Sequence, residues 1–145
     1  MKPKSHHKQY LFFIVLLAAF LSVLNAQTTY YVAANGVYAI PYEGAGLWGP
    51  ISGIIAMSPD LEKISGLTIV HQEETPGLGS RIAEKNYLDA FVGKQFTPDL
   101  KLVSPGTAKG NNEIDAISGA TLSSKAFIKL LNSEHQRYES ALGGK

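Results

Sequence analysis

The 145-residue sequence contains no cysteine. This absence excludes disulfide bonds, thiolate-held iron–sulfur clusters, cysteine-based zinc sites and cysteine nucleophiles. A cofactor would have to be held by oxygen or nitrogen atoms. The chain also lacks an excess of either charge, since 13 Lys and Arg stand against 12 Asp and Glu, a formal net charge of +1. Because the chain has no excess of positive charge, nucleic acid is not expected as a partner.

Histidine is scarce: after residue 26 the sequence contains only His71 and His135. Neither stands at metal-ligand spacing from another histidine, so no metal site is expected. The sequence also shows no arrangement of acid, base and nucleophile that would support an independent reaction. We therefore assign no catalytic residue and leave open whether the protein is an enzyme.

The N-terminal segment has the pattern of an export signal. Three lysines lie within the first eight residues, and an apolar run follows from residue 11 to residue 24. This run is short for a membrane span, which needs about 20 apolar residues, and Ala26 is small enough for a signal-peptidase site. We predict a cleaved signal peptide over 1–26 and one domain over 27–145, with an uncleaved membrane anchor as the alternative. Both interpretations place the domain outside the cytoplasm, in the periplasm or at the outer face of the inner membrane.

The sequence of 27–145 predicts a single α+β domain, mainly an antiparallel sheet with helices packed on it. Short segments rich in β-branched and aromatic residues and bordered by glycine or proline predict strands, and apolar residues at helical spacing predict helices. The predicted strands are Val37–Tyr42, Ile51–Met57, Leu67–Gln72 and Leu100–Val103, and the predicted helices run from Ser80 to Phe91 and from Ser123 or Ser124 to Leu142. Strands that cluster first, with helices inserted singly, favour this class over a repeating parallel βαβ fold.

The first motif is glycine-rich and lies between two predicted strands, at Gly44–Pro50. Its Gly-x-Gly-x-x-Gly spacing matches a dinucleotide fingerprint, but Pro50 and a strand follow it instead of a helix, which excludes a Rossmann site. Trp48 could supply an apolar wall to a ligand. The alternative is a hairpin connection with a core tryptophan.

The second motif, His71–Gly79, lies between a predicted strand and a predicted helix. Glu74 and Thr75 could form hydrogen bonds with the edge of a heterocycle, while Gly77 and Gly79 shape a loop whose amides face a ligand. The alternative is a capping loop with solvated acidic side chains.

The third motif, Asp115–Ser124, precedes the long helix. Its Ser-Gly-Ala run exposes Thr121 beside a helix N-terminus, where unpaired amides and the helix dipole stabilise a phosphate. Thr121 is therefore placed to carry or bind a phosphate. The alternative is that Thr121 or Ser123 merely caps the helix.

Together the three motifs, in this order, resemble the FMN-binding domain family, which occurs in the C subunit of the sodium-pumping NADH:quinone reductase and in the G subunit of the Rnf complex. The resemblance covers roughly residues 36–131. It implies that a metal-dependent flavin transferase moves FMN from FAD onto the hydroxyl of Thr121 and leaves a phosphoester. It also implies a cofactor site composed of Trp48, Glu74, Thr75, Gly77, Leu78, Gly79, Ser118, Gly119, Ala120, Thr121, Leu122 and Ser123.

The expected function is that of an exported electron-transfer flavoprotein with covalent FMN. Its expected partners are the flavin transferase and redox proteins, with a membrane electron-transport complex among the options. Two alternatives remain open from the sequence. One is an exported module that binds FMN or another phosphate-bearing ligand without a covalent bond, and the other is an interaction domain without a cofactor.

Overall fold

The computed structural model describes residues 29–143. A four-stranded antiparallel sheet has the order β1-β2-β3-β4, and a separate pair, β5 and β6, is parallel. The strands are β1 (Tyr31–Val32), β2 (Tyr38–Ala45), β3 (Pro50–Met57), β4 (Ile64–Gln72), β5 (Lys101–Val103) and β6 (Glu113–Asp115). A 3-10 turn (Gly79–Ala83) and the short helix α1 (Lys85–Asp89) follow the large sheet, and the long helix α2 (Thr121–Leu142) ends the described chain.

Alternating burial along β3 shows how the large sheet forms. Ile51, Gly53, Ile55 and Met57 are buried, whereas the residues between them are partly or fully exposed. Successive side chains of a strand point to opposite faces, so this period of two buries one face of the sheet and leaves the other towards solvent.

Helix α2 covers the buried face of the sheet. Phe127 is fully buried and lies 6.2 Å from the ring of Tyr42 on β2. The helix approaches β2 closely at Gly44, where a Cβ atom would stand 2.3 Å from Cδ1 of Leu130. The missing side chain at Gly44 therefore lets the N-terminal half of α2 rest against the strand that leads into the first motif.

The structure confirms the α+β class and the antiparallel sheet, in which three of the predicted strands form β2, β3 and β4. The predicted strand Leu100–Val103 is present as β5, outside this sheet. The single helix predicted over Ser80–Phe91 is wrong. Glu84 has an extended backbone, with φ −66° and ψ 136°, and divides this segment into the 3-10 turn and α1. Helix α2 begins at Thr121, two or three residues before the predicted start at Ser123 or Ser124.

Residues 1–26, predicted as an export signal, lie outside the described residues, so the boundary with the domain 27–145 stays a prediction. Within 29–143, no helix is both long enough and apolar enough to cross a membrane.

Candidate functional site

The three motifs meet at one cleft of 380 Å³. Its walls consist of Leu47, Trp48, Thr75, Leu78, Gly79, Gly119, Ala120, Thr121, Leu122 and Ser123. Three surface grooves are larger. Two of them, of 590 Å³, contain no residue of the three motifs, and the third, of 400 Å³, is lined by the first motif together with Glu43 and contains no residue of the other two. The fold thus brings together segments that are up to 76 residues apart in the sequence, counted from Leu47 to Ser123.

The walls of the cleft expose large apolar side chains. Trp48 is 70% exposed, Leu122 64% and Leu78 52%, and each comes from a different motif. Apolar surface of this kind, gathered in a concave site, is typical of a binding site for a flat ligand. The alternative is therefore right about the hairpin connection, since the first motif joins the antiparallel strands β2 and β3, but wrong about a core tryptophan.

Glu74 lies beneath the cleft and is only 3% exposed. Its Oε1 accepts hydrogen bonds from the backbone amides of Leu47, at 2.7 Å, and Trp48, at 3.2 Å. Its Oε2 accepts a hydrogen bond of 2.5 Å from the hydroxyl of Ser123. Glu74 is not among the residues that line the cleft, so the structure gives it protein partners instead of the contact with a heterocycle that the sequence predicts.

Glu73 behaves differently from its neighbour. Its side chain is 56% exposed and pairs with the ring of His71 at 3.2 Å. The alternative of a capping loop with two solvated carboxylates thus describes Glu73 and not Glu74.

The loop after Glu74 is shaped by its glycines and by two bonds to the carbonyl of Thr75. The amides of Leu78 and Ser80 both donate to this carbonyl. Gly77 has a φ of +72°, which L side chains rarely adopt, so a side chain there would strain the backbone although the space around it is open. Gly79 is buried, and a Cβ atom there would stand 2.4 Å from the hydroxyl oxygen of Ser123.

Arg81, which the sequence does not single out, links the segment after the second motif to the third motif but does not line the cleft. Its Nη1 donates a hydrogen bond of 3.3 Å to the carbonyl of Ser118. The segment from Glu74 to Arg81 therefore contacts the third motif at both ends, at Ser118 and at Ser123. No local signal marks Arg81, because an arginine after the second motif looks like any exposed residue of a helical turn.

The third motif turns sharply before α2. Gly119 has a φ of +81°, and the amide of Ala120 donates to the carbonyl of Ile117. The hydroxyl of Ser124 donates to the carbonyl of Ala120 and accepts from the amide of Ile117, which holds the turn against the helix. A left-handed glycine is what this reversal requires.

Helix α2 has no side-chain cap. Its N-cap residue is Ala120, and no side chain forms a hydrogen bond with the first amides. The alternative in which Thr121 or Ser123 caps the helix is therefore wrong. Amides of the first turn that lack a side-chain partner are suited to an anionic group.

The hydroxyl groups of the third motif differ in accessibility. Ser123 and Ser124 are buried and donate to protein acceptors. Ser118 is exposed but does not line the cleft, whereas Thr121 is exposed and does. Ser123 also lines the cleft, but its hydroxyl is engaged by Glu74, so Thr121 supplies the exposed hydroxyl of this motif in the cleft.

Asp115 holds the turn-rich loop between β5 and β6. Its Oδ1 accepts hydrogen bonds from the amides of Thr107, at 2.8 Å, and Ala108, at 2.9 Å. The carboxylate at the start of the third motif therefore has a structural role in this arrangement.

None of the side chains that line the cleft is titratable. The lining offers apolar surface, hydroxyl groups and backbone amides, which suit binding and orientation better than proton transfer by a side chain.

Comparison with known proteins identifies the family. The family model for the FMN-binding domain matches residues 46–134. The C subunit of the Na(+)-translocating NADH-quinone reductase of Haemophilus ducreyi is 38% identical over 91 residues, covering 59% of this chain and 35% of the relative. The G subunit of the Na(+)-translocating ferredoxin:NAD(+) oxidoreductase complex of Acetobacterium woodii is 33% identical over 125 residues, covering 86% and 56%.

A solved structure agrees with these relatives. The crystal structure of NqrC from Shewanella oneidensis matches with a TM-score of 0.62 and 30% identity, covering 66% of this chain and 47% of that chain. This chain spans about a third to a little over half of the proteins it matches. The order of motifs, the fold and the matched residues agree, and the chain belongs to the FMN-binding domain family.

Proposed function

We propose that this protein is an exported electron carrier that holds FMN covalently, through a phosphoester to the hydroxyl of Thr121. The observation that carries the proposal is the placement of this exposed hydroxyl at an uncapped helix N-terminus, inside a cleft with apolar walls.

The residues present fit an FMN group. A phosphate on Thr121 would stand at the first turn of α2, where backbone amides and the helix dipole favour negative charge. Trp48, Leu78 and Leu122 offer apolar surface to a flat ring, and Thr75 adds an exposed hydroxyl at the rim. A cleft of 380 Å³ lies within the range usual for small-molecule sites, about 300–1,000 Å³.

The attachment reaction balances as a transfer of FMN from FAD. A bond forms between the hydroxyl oxygen of Thr121 and the FMN phosphorus, the pyrophosphate bond of FAD breaks, AMP leaves, and the hydroxyl proton passes to a base. A separate flavin transferase would supply this base, because no titratable side chain lines the cleft.

When bound, the flavin supplies one-electron and two-electron redox chemistry, and the protein supplies orientation and environment. The relatives described above are named as subunits of oxidoreductases that act on NADH and quinone or on ferredoxin and NAD(+). We infer that redox proteins, such as those of a membrane electron-transport complex, exchange electrons with this chain.

A noncovalent FMN-binding module is the second candidate, because an uncapped helix N-terminus also suits a free phosphate. Denaturation separates the two candidates, since an ester would stay on the chain and a noncovalent ligand would leave it. A colourless protein after coexpression with a flavin transferase would favour the remaining alternative, an interaction domain without a cofactor.

Export should control flavin loading. We expect protein from a membrane-plus-periplasm fraction to begin at Gln27 and to have the mass of the 27–145 chain plus one FMN less one water. Leu17→Arg, which interrupts the apolar run, should retain the chain in the cytosol without flavin. Intact-mass measurement of both fractions checks this. A flavin-loaded wild-type chain in the cytosol with residues 1–26 intact would contradict it.

A further inference from the structure

We propose that Glu74 is a positioning residue, which sets the separation of the two walls of the cleft and so the orientation of the flavin against Trp48. This inference rests on the proposed function, because it assumes FMN in the cleft. Glu74 acts through its protein partners and not by touching the ring.

The carboxylate joins two walls that come from distant parts of the chain. One oxygen accepts from the amides of Leu47 and Trp48, in the turn between β2 and β3, and the other accepts from the hydroxyl of Ser123 in the first turn of α2. A single side chain thus connects the wall that carries the tryptophan to the wall that carries Thr121.

Two glycines, one from each of the first two motifs, make room for this carboxylate. A Cβ atom at Gly46 would stand 2.5 Å from Oε1 of Glu74, and one at Gly79 would stand 3.0 Å from Oε2. Neither glycine has a positive φ, so crowding by neighbouring atoms explains their lack of a side chain better than backbone conformation does. The crowding atoms belong to Glu74, Ile51 and Gly49 at Gly46, and to Ser123 and Glu74 at Gly79.

The backbone of Glu74 is also held in place by a hydrogen bond. The amide of Glu74 donates a hydrogen bond of 2.7 Å to Oε1 of Gln72, which fixes the chain at the end of β4. Burying a carboxylate is costly unless donors surround it, and here two amides and one hydroxyl do so. Such a network holds its members in one geometry, because each lost bond leaves a buried polar group without a partner.

The test uses Trp48, which is the single tryptophan of the chain. A flavin held close to Trp48 quenches its fluorescence, so the fluorescence lifetime reports the distance between them. We expect strong quenching in flavin-loaded wild-type protein and loss of quenching in flavin-loaded Glu74→Ala. Glu74→Gln keeps an oxygen for the two amides and an NH2 group that can donate to Ser123, so it should restore the quenching.

Glu73→Gln is the matched control, because it removes the neighbouring carboxylate, which is exposed, and should leave the lifetime unchanged. Unchanged quenching in Glu74→Ala would overturn the proposal. A Glu74→Gln variant that behaves like Glu74→Ala would also overturn it, because charge and not position would then be the cause.

Ser123→Ala keeps the test decisive if Glu74→Ala does not fold. It breaks only the bond to α2 and should give partial loss of quenching, and full quenching in this variant would contradict the proposal. Amide hydrogen exchange at Leu47 and Trp48, measured in flavin-free protein, tests the link between the two walls independently of flavin binding. A wild-type chain that takes up no flavin would contradict the proposed function, whereas unchanged exchange at both amides in Glu74→Ala would overturn the link between the walls.

Discussion

Thr121→Ala is expected to be folded and to carry no covalent flavin. Thr121 is exposed in the first turn of α2, and its side chain does not cap the helix. Loss of a capping side chain would cost about 0.5–2 kcal/mol, and this cost does not apply here. The effect should therefore fall on attachment and not on stability. Denaturing purification followed by visible absorbance and intact mass measures the loss of flavin, and thermal unfolding measures stability.

Two further variants make this result specific to Thr121. Thr121→Ser keeps a hydroxyl at the same position and should retain partial loading. Ser118→Ala removes the other exposed hydroxyl of the motif, which does not line the cleft, and should load like wild type. Acid-stable flavin on Thr121→Ala would show that another residue accepts the phosphate.

Gly79→Ala is expected to destabilise the protein and to reduce flavin loading strongly. The added Cβ atom would stand 2.4 Å from the hydroxyl oxygen of Ser123, closer than packed atoms approach, and 3.0 Å from Cβ of Glu74, which is a tight contact. The loop and the first turn of α2 must then move apart, and overpacking of this kind costs about 1–3 kcal/mol. Chemical denaturation and the amount of flavin per chain measure the two effects.

Gly66→Ala is the matched control for this prediction. Gly66 lies in β4, and its added Cβ atom would stand 3.7 Å from Cβ of Ala56, an ordinary contact. It should leave both stability and loading close to wild type. If Gly79→Ala were as stable and as fully loaded as Gly66→Ala, the close packing of loop against helix would not matter for the site.

The sequence predicts the regular parts of this fold well, because their signals are local. A short run rich in β-branched residues and bordered by proline marks β3, and helical spacing of apolar residues such as Phe127 and Leu131 marks α2. The break at Glu84 was missed because the apolar residues on either side still follow an approximate helical pattern. The parallel pairing of β5 with β6 has no local signal either, since each strand has only three residues.

The three motifs predict which residues form the site, but they do not predict how these residues are arranged in space. Glu74 reaches the amide of Leu47 across 27 residues and the hydroxyl of Ser123 across 49. A carboxylate beside a threonine and a glycine-rich loop looks like a group that faces a ligand. Only the packing of the loop under the cleft places it among protein donors. For the same reason, the sequence cannot separate the buried Ser123 from the exposed Thr121.

Covalent attachment at Thr121 is tested directly by peptide-level fragmentation of the wild-type protein after coexpression with a flavin transferase. We predict one modified peptide that spans the third motif, with FMN less one water on Thr121 and with Ser118, Ser123 and Ser124 unmodified. Ser123 and Ser124 are buried and donate to protein acceptors, so a flavin on either would require the first turn of α2 to open. A flavin mapped to one of these three serines, or an unmodified peptide in a protein that loses its flavin on denaturation, would contradict covalent attachment at Thr121.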